Sequence, residues 1–150
     1  MTQFLGTHTN RLDAKGRVSI PAPFRAVLKP DGIGNAQLIL RPSHKHACIE
    51  GWPPAAFHAL AKPLEALDIF SEDHDDLATA LYADAWPMEA DKEGRIVLPD
   101  DLKSHAGLTD SVEFLGRGDI FLIWEPGAAA RRRAEARERA RNITLRGVAA

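Results

Sequence analysis

At 150 residues the chain is long enough for one domain with a sizeable core or two very small ones, and too short for more. With 45% hydrophobic and 27% charged residues it reads as an ordinary globular protein, and no apolar run approaches the length that spans a bilayer. A net charge of −2 does not by itself point to a nucleic-acid partner, and a single cysteine, Cys48, excludes an internal disulfide.

The first segment, MTQFLGTHTNR, lacks the basic head and long apolar stretch of a secretory signal, so a cytoplasmic protein is expected. From Met1 to Lys29 the fixed charges are mostly positive: Arg11, Asp13, Lys15, Arg17, Arg25 and Lys29. Within this segment lies DAKGRVSIP, residues 13–21. Gly16 suits a turn that needs positive φ, and Asp13 can accept hydrogen bonds from backbone groups just downstream. Val18-Ser19-Ile20 then reads as a short strand. Pro21 breaks the ladder and suits the first turn of a helix carrying Phe24, Val27 and Leu28. A hairpin follows, QLIL at 37–40 and ACIE at 47–50, closing on Trp52-Pro53.

A helical insert comes next. Phe57, Leu60, Leu64 and Leu67 are spaced for one apolar face, which Pro63 is expected to kink or break. LEALDIFSEDHDD at 64–76 carries six carboxylates and no Lys or Arg. Leu77, Leu81 and Tyr82 suggest a second helix that ends before Trp86-Pro87.

The opening pattern then returns as DKEGRIVLP, residues 91–99. Asp91, Gly94, Arg95 and Pro99 repeat Asp13, Gly16, Arg17 and Pro21 in the same register. Ile96-Val97-Leu98 reads as a strand, and a helix follows with Leu102 and Ala106 inward and Gly107 as its cap. A second hairpin, VEFL at 112–115 and IFLIW at 120–124, closes on Trp124-Glu125-Pro126. Turn, strand, helix, strand, strand thus occurs twice, which suggests two copies packed with pseudo-twofold symmetry. The tail is a predicted Ala/Arg/Glu helix over 128–141 with little to bury. Its Arg131, Arg132, Arg133, Arg137, Arg139, Arg141 and Arg146 outnumber Glu135 and Glu138. One reading makes it a solvated helix with Glu135–Arg139 and Glu138–Arg141 pairs. The other has its arginines add DNA affinity or dock on the acidic segment of a neighbouring subunit.

Asp, Gly and Pro in the repeated motif have local explanations, but a tight turn needs no guanidinium after its Gly. Arg17 and Arg95 therefore have two readings. Each can form an ion pair with its own turn's Asp. Alternatively, the two present planar forks that match guanine's major-groove edge and phosphate oxygens.

On GTHTNRLDAKGRVSIP at 6–21, DKEGRIVLP at 91–99, AGL at 106–108 and IWEP at 123–126, the chain resembles the MraZ family over nearly its full length. The resemblance implies an α+β fold: a swapped-hairpin β-barrel made of two tandem SpoVT-AbrB-like repeats, with a helical insert and a C-terminal helix. The corresponding division is 1–54, first repeat; 55–83, helical linker; 84–127, second repeat; 128–150, Arg-rich tail. It implies a sequence-specific transcriptional regulator of the division and cell-wall gene cluster, bound to double-stranded promoter DNA through short G-rich repeated boxes. It also implies self-association into dimers and ring-like oligomers, and residence in the cytoplasm with the nucleoid. The expected DNA contacts are Lys15 and Arg17, with Arg95 from the second turn and Arg11 and Arg25 as basic neighbours. Glu93 stands where the first copy has Lys15, and a carboxylate is repelled by phosphate, so the first turn is expected to be the principal reader.

Other constellations are weaker. His44, His46 and Cys48 alternate as metal ligands on a strand would, but they fall in a turn and lack a fourth partner. No catalytic triad, phosphate-binding glycine loop or helical metal motif is present, so no enzyme, metal, cofactor or small-molecule substrate is expected. The competing class is an oligomeric assembly module in which the turns serve subunit packing. Exposed arginines beside the turns favour DNA, and arginines buried against carboxylates favour assembly.

Overall fold

The computed structural model describes residues 2–145; Arg146, counted with the tail above, lies outside the described residues. In the first copy, β1 (Thr7–Arg11) enters the turn, β2 (Arg17–Ser19) leaves it, and α1 (Ala22–Leu28) follows Pro21. The hairpin is β3 (Gln37–Pro42) and β4 (Ile49–Trp52). The insert holds α2 (Pro54–His58), α3 (Ala61–Leu64), α4 (Glu72–Ala78) and a π-helical turn, Thr79–Ala83. The second copy repeats the order as β5 (Trp86–Glu89), β6 (Arg95–Val97), α5 (Asp100–Ala106), β7 (Ser111–Gly116) and β8 (Phe121–Trp124). The last element is α6 (Pro126–Ala140). Gly107, expected to end α5, does so at φ +63°.

Sheet order shows how the copies combine. Six antiparallel strands run β1-β7-β8-β4-β3-β5, and β2 pairs with β6 alone. Exchanging each strand for its counterpart in the other copy reverses this order, which is the expected pseudo-twofold. Each copy supplies the other's outer strand: β1 pairs with β7, and β5 with β3. The core is accordingly shared. Val18, Ile20, Phe24 and Leu38 pack in one cluster with Ile96, Leu98, Leu102 and Phe114. Phe24 is its aromatic centre, with ring centroids 5.3 Å from Phe4 and 5.4 Å from Phe121.

The expected barrel is not closed. The six-stranded sheet keeps two edges, β1 and β5, and the chain leaves each one at a glycine turn. The three-residue strands that follow are consumed in pairing with each other, so among the described residues no strand bridges the two edges. β1 and β5 themselves lie outside the sequence-based reading. THTNR and WPME lack an apolar alternation because edge strands are half solvated, and Pro87 is tolerated only at such an edge.

The insert breaks at Ala59-Leu60, ahead of the expected position. Pro63 sits inside the single turn of α3, where its missing N–H would have had no intrahelical partner. Phe57 and Leu64 are buried as their spacing predicted. A charged network joins the insert to the sheet. Arg41, 2% exposed, donates from Nε to Glu50 Oε1 (2.9 Å) and from Nη1 to the Ala80 carbonyl (3.0 Å). Trp52 Nε1 donates to the same Glu50 oxygen (3.0 Å).

α6 is better anchored than its composition suggested. Glu125 caps it by accepting from the Gly127 and Ala128 amides, and Ala129 is fully buried in a cluster with Trp124, Leu115, Leu122 and Cys48. Both expected pairs form, Glu135–Arg139 at 3.1 Å and Glu138–Arg141 at 2.9 Å. The alternating His44, His46 and Cys48 have separate neighbours. His44 lies 3.2 Å from Arg41 Nη2, His46 packs against Trp124, and burial pushes the Cys48 thiol up to about 12. Among the described residues no cluster of three His, Cys, Asp or Glu is placed to hold a metal, and no helix is long and apolar enough to cross a membrane.

Candidate nucleic-acid interface

The two turns are built alike, atom for atom. Asp13 Oδ1 accepts from the Lys15 and Arg17 amides (2.9 and 2.8 Å), and its Oδ2 accepts from Arg17 Nε (2.7 Å). Asp91 Oδ1 accepts from the Glu93 and Arg95 amides (3.0 and 2.9 Å), and its Oδ2 from Arg95 Nε (2.8 Å). Gly16 and Gly94 turn the chain at φ +80° and +79°. These bonds favour the charged carboxylate. The Arg17 amide holds Asp13 below its ordinary 3.8, and the Arg95 amide does the same for Asp91.

Pairing of β2 with β6 places the turns at opposite ends of one short ribbon. Arg17 opposes Val97, and Ser19 opposes Arg95. Val18 and Ile96 point into the core, so the alternate residues Arg17, Ser19, Arg95 and Val97 share the outer face. Diagonal positions on such a pair lie roughly 7–8 Å apart, which sets the spacing of the two arginines. Each end of the ribbon is pinned to the opposite turn. The Ile20 amide donates to Gly94 O (2.9 Å), and the Leu98 amide to Gly16 O (2.8 Å).

The ion pairs form and leave part of each guanidinium exposed. Each Asp engages the Nε edge only, and the arginine side chains remain 40% and 39% exposed. Arg17 Nη1 and Nη2 have no partner among the described residues. Arg95 differs, because its Nη2 also approaches Glu93 Oε2 at 3.5 Å. Both arginines line one cleft of about 340 Å³ with Asn35, Glu89 and Val97. Lys15 stands exposed in the first turn, and Arg11 exposed at the end of β1. In the register that sets Asp13 on Asp91, the counterparts of Arg11 and Lys15 are Glu89 and Glu93. The face is therefore positive at its first end and mixed at its second.

Two further basic residues reach the turns: Arg25, expected as a basic neighbour of the DNA contacts, and Lys103, which the sequence reading did not single out. Arg25 on α1 reaches the second turn, donating from Nη1 to the Glu93 carbonyl (2.7 Å) and packing over Gly94. Its counterpart Lys103 on α5 packs over Gly16 of the first turn and pairs with Asp100 (3.0 Å). Each helix of one copy thus braces the turn of the other. The visible hint was their common position four residues after Pro21 and Pro99. Asn10 adds a link from β1, donating to the Ser19 carbonyl at 2.6 Å.

A pseudo-twofold body with twinned, half-exposed arginines on one face is a tandem-repeat scaffold. Comparison with known proteins makes this specific. The MraZ protein family model matches residues 3–79 and again 81–146. A transcriptional regulator MraZ of Gluconacetobacter diazotrophicus is 65% identical over 146 residues, 97% of this chain and 92% of that protein. Those of Gluconobacter oxydans and Parvibaculum lavamentivorans are 62% and 45% identical over 144 and 139 residues, covering 95% and 93% of this chain and 88% and 86% of theirs. The chain belongs to the MraZ family. The names of these relatives describe a non-enzymatic role, transcriptional regulation.

Proposed function

We propose that this chain is a sequence-specific transcriptional regulator that binds double-stranded DNA through the outer face of the β2–β6 ribbon. The carrying observation is the twinned arginine turn. Asp13 and Asp91 hold each guanidinium by Nε and leave the distal nitrogens at the surface, the edge that can fork onto guanine O6 and N7. Arg17 is the principal reader, Lys15 and Arg11 contact phosphates beside it, and Arg95 has a lesser part because Glu93 competes for it. The exposure of both arginines favours this reading over a pure assembly module.

Family membership supports a promoter of the division and cell-wall gene cluster as the target, read through short G-rich repeated boxes, with the protein residing at the nucleoid. It also supports dimers and ring-like oligomers, whose repeated faces would engage repeated boxes with gain from multivalency. The interleaved strand order supports treating 1–54 and 84–127 as the two repeats of a single-chain swapped-hairpin unit, with 55–83 as linker and 128–150 as tail.

The test is selection of bound DNA from a random pool at stated salt, followed by titration of Arg17→Ala and Arg95→Ala. Spaced G-containing repeats are expected. Arg17→Ala should cost more affinity than Arg95→Ala, roughly 1–3 kcal/mol per lost bidentate contact. No enrichment, or a folded Arg95→Ala that is the more damaged variant, overturns the assignment.

A further inference from the structure

Two surface features have no part in the ribbon face. The first is the loop joining α3 and α4. It carries Ile69 and Phe70, 68% and 93% exposed. The backbone beneath them is held: the Phe70 amide donates to Asp68 Oδ1 (3.0 Å), the Ser71 amide to Asp68 O (2.9 Å), and the His74 amide to Ser71 Oγ (3.1 Å). An aromatic ring is thus offered on an ordered tip, so little order need be imposed when it is buried. In the sequence Glu65, Asp68, Glu72, Asp73, Asp75 and Asp76 flank it, with no Lys or Arg between residues 64 and 76.

The second feature is a cavity of about 320 Å³ between the β3–β4 turn, the insert and α6. Trp52, Leu60 and Leu81 give it an apolar side, Ser43, His44 and His46 line it from the β3–β4 turn, and Lys45, Arg117 and Arg132 bring positive charge. Arg41 is paired with Glu50 and Arg132 with Glu135 (3.0 Å), so Lys45 and Arg117 set the charge of the cavity. No residue of the acidic loop lines it. The exposed arginines of α6 extend the positive surface beyond the cavity.

We propose that the Phe70 tip of one copy seats in the Lys45–Arg117–Arg132 cavity of a second copy, with the acidic loop lying along that copy's α6. The fit is one of charge and shape together: an apolar ring flanked by carboxylates meets a cavity with an apolar side and positive charge. Tip and cavity are different patches of one chain, so the contact is head to tail, the kind that propagates into rings or chains. The inference rests on the self-association named above and assigns the surfaces that carry it.

Light scattering after gel filtration, at micromolar concentration and two salt concentrations, tests this. Wild-type chain should be multimeric, and less so at high salt. Phe70→Ser should lower the mass with an unchanged circular dichroism spectrum, and association should weaken at least about tenfold, as for loss of an aromatic anchor. Phe70→Leu should fall between. Lys45→Glu with Arg117→Glu should dissociate in the same way. An equimolar mixture of the Phe70→Ser and cavity variants should form pairs and stop there, since one retains only the cavity and the other only the tip. Unchanged mass in Phe70→Ser, a monomeric wild type, or a mixture that forms no pairs overturns the contact. So do cavity variants that keep the wild-type mass and lose only DNA affinity, which would assign the basic surface to DNA. A dissociated variant that still selects the wild-type DNA boxes leaves the regulator reading standing whatever becomes of the contact.

Discussion

Replacing Glu50 by Leu should destabilise the protein far more than its surface-like chemistry suggests. Glu50 Oε1 accepts from both Arg41 Nε and Trp52 Nε1, at 2.9 and 3.0 Å. Its loss leaves Arg41, 2% exposed, with the Ala80 carbonyl and the His44 ring as its partners among the described residues. Removing one member of a buried pair typically costs about 3–5 kcal/mol, because the other is left as an uncompensated buried charge. At about 2–4 °C per kcal/mol for a chain of this size, the midpoint should fall by roughly 6–20 °C. The double variant Arg41→Met with Glu50→Leu should recover much of this, since apolar residues of similar volume carry no desolvation penalty. It should not recover all, because the Trp52 indole N–H stays without its acceptor, worth about 1–3 kcal/mol. The assay is thermal and urea denaturation followed by tryptophan fluorescence at fixed chain concentration, completed as a double-mutant cycle. Simple additivity of the two single variants would refute the reasoning, for then the pair would not be acting as one desolvated unit.

Three further outcomes are expected. Glu93→Lys should raise affinity for scrambled DNA and steepen its salt dependence, by about one further counterion released per ribbon, measured by titration at two salt concentrations. Gly94→Ala should destabilise more than Gly16→Ala in thermal melts. Both impose positive φ on a side chain, at about 1–2 kcal/mol, but only at Gly94 does the new methyl displace the Arg25 guanidinium from Glu93 O, adding about 1 kcal/mol. Asp13→Asn with Asp91→Asn should lower stability at neutral pH, and the difference from wild type should vanish in acid. Each carboxylate has a folded pKa below its ordinary 3.8, so its contribution is present above 3.8 and is lost as pH falls through the lower folded value; acid titration of both proteins by circular dichroism checks the sign.

What the sequence determined alone is local. Asp13, Gly16 and Pro21, with their counterparts Asp91, Gly94 and Pro99, specify turn, strand and helix start through φ preferences and bonds spanning four residues or fewer. Those interactions exist in any context that lets the segment fold, and so do the Gly107 cap and the two hairpins. The repeat itself also announced a paired structure, and the unequal charges at Lys15 and Glu93 announced that the pair would be unequal. Only the tertiary structure decided that the copies interleave, because the partner of β1 is β7, far along the chain, and a half-polar edge strand carries almost no pattern of its own. It alone decided that the sheet stays open. It alone brought Arg25 and Lys103 across to the opposite turns and sank Arg41 and Glu50 into the interior, where the sequence shows only ordinary charged residues. A side chain's charge is written in the sequence, but whether that charge meets water, a carboxylate or a neighbouring turn depends on groups brought close by folding.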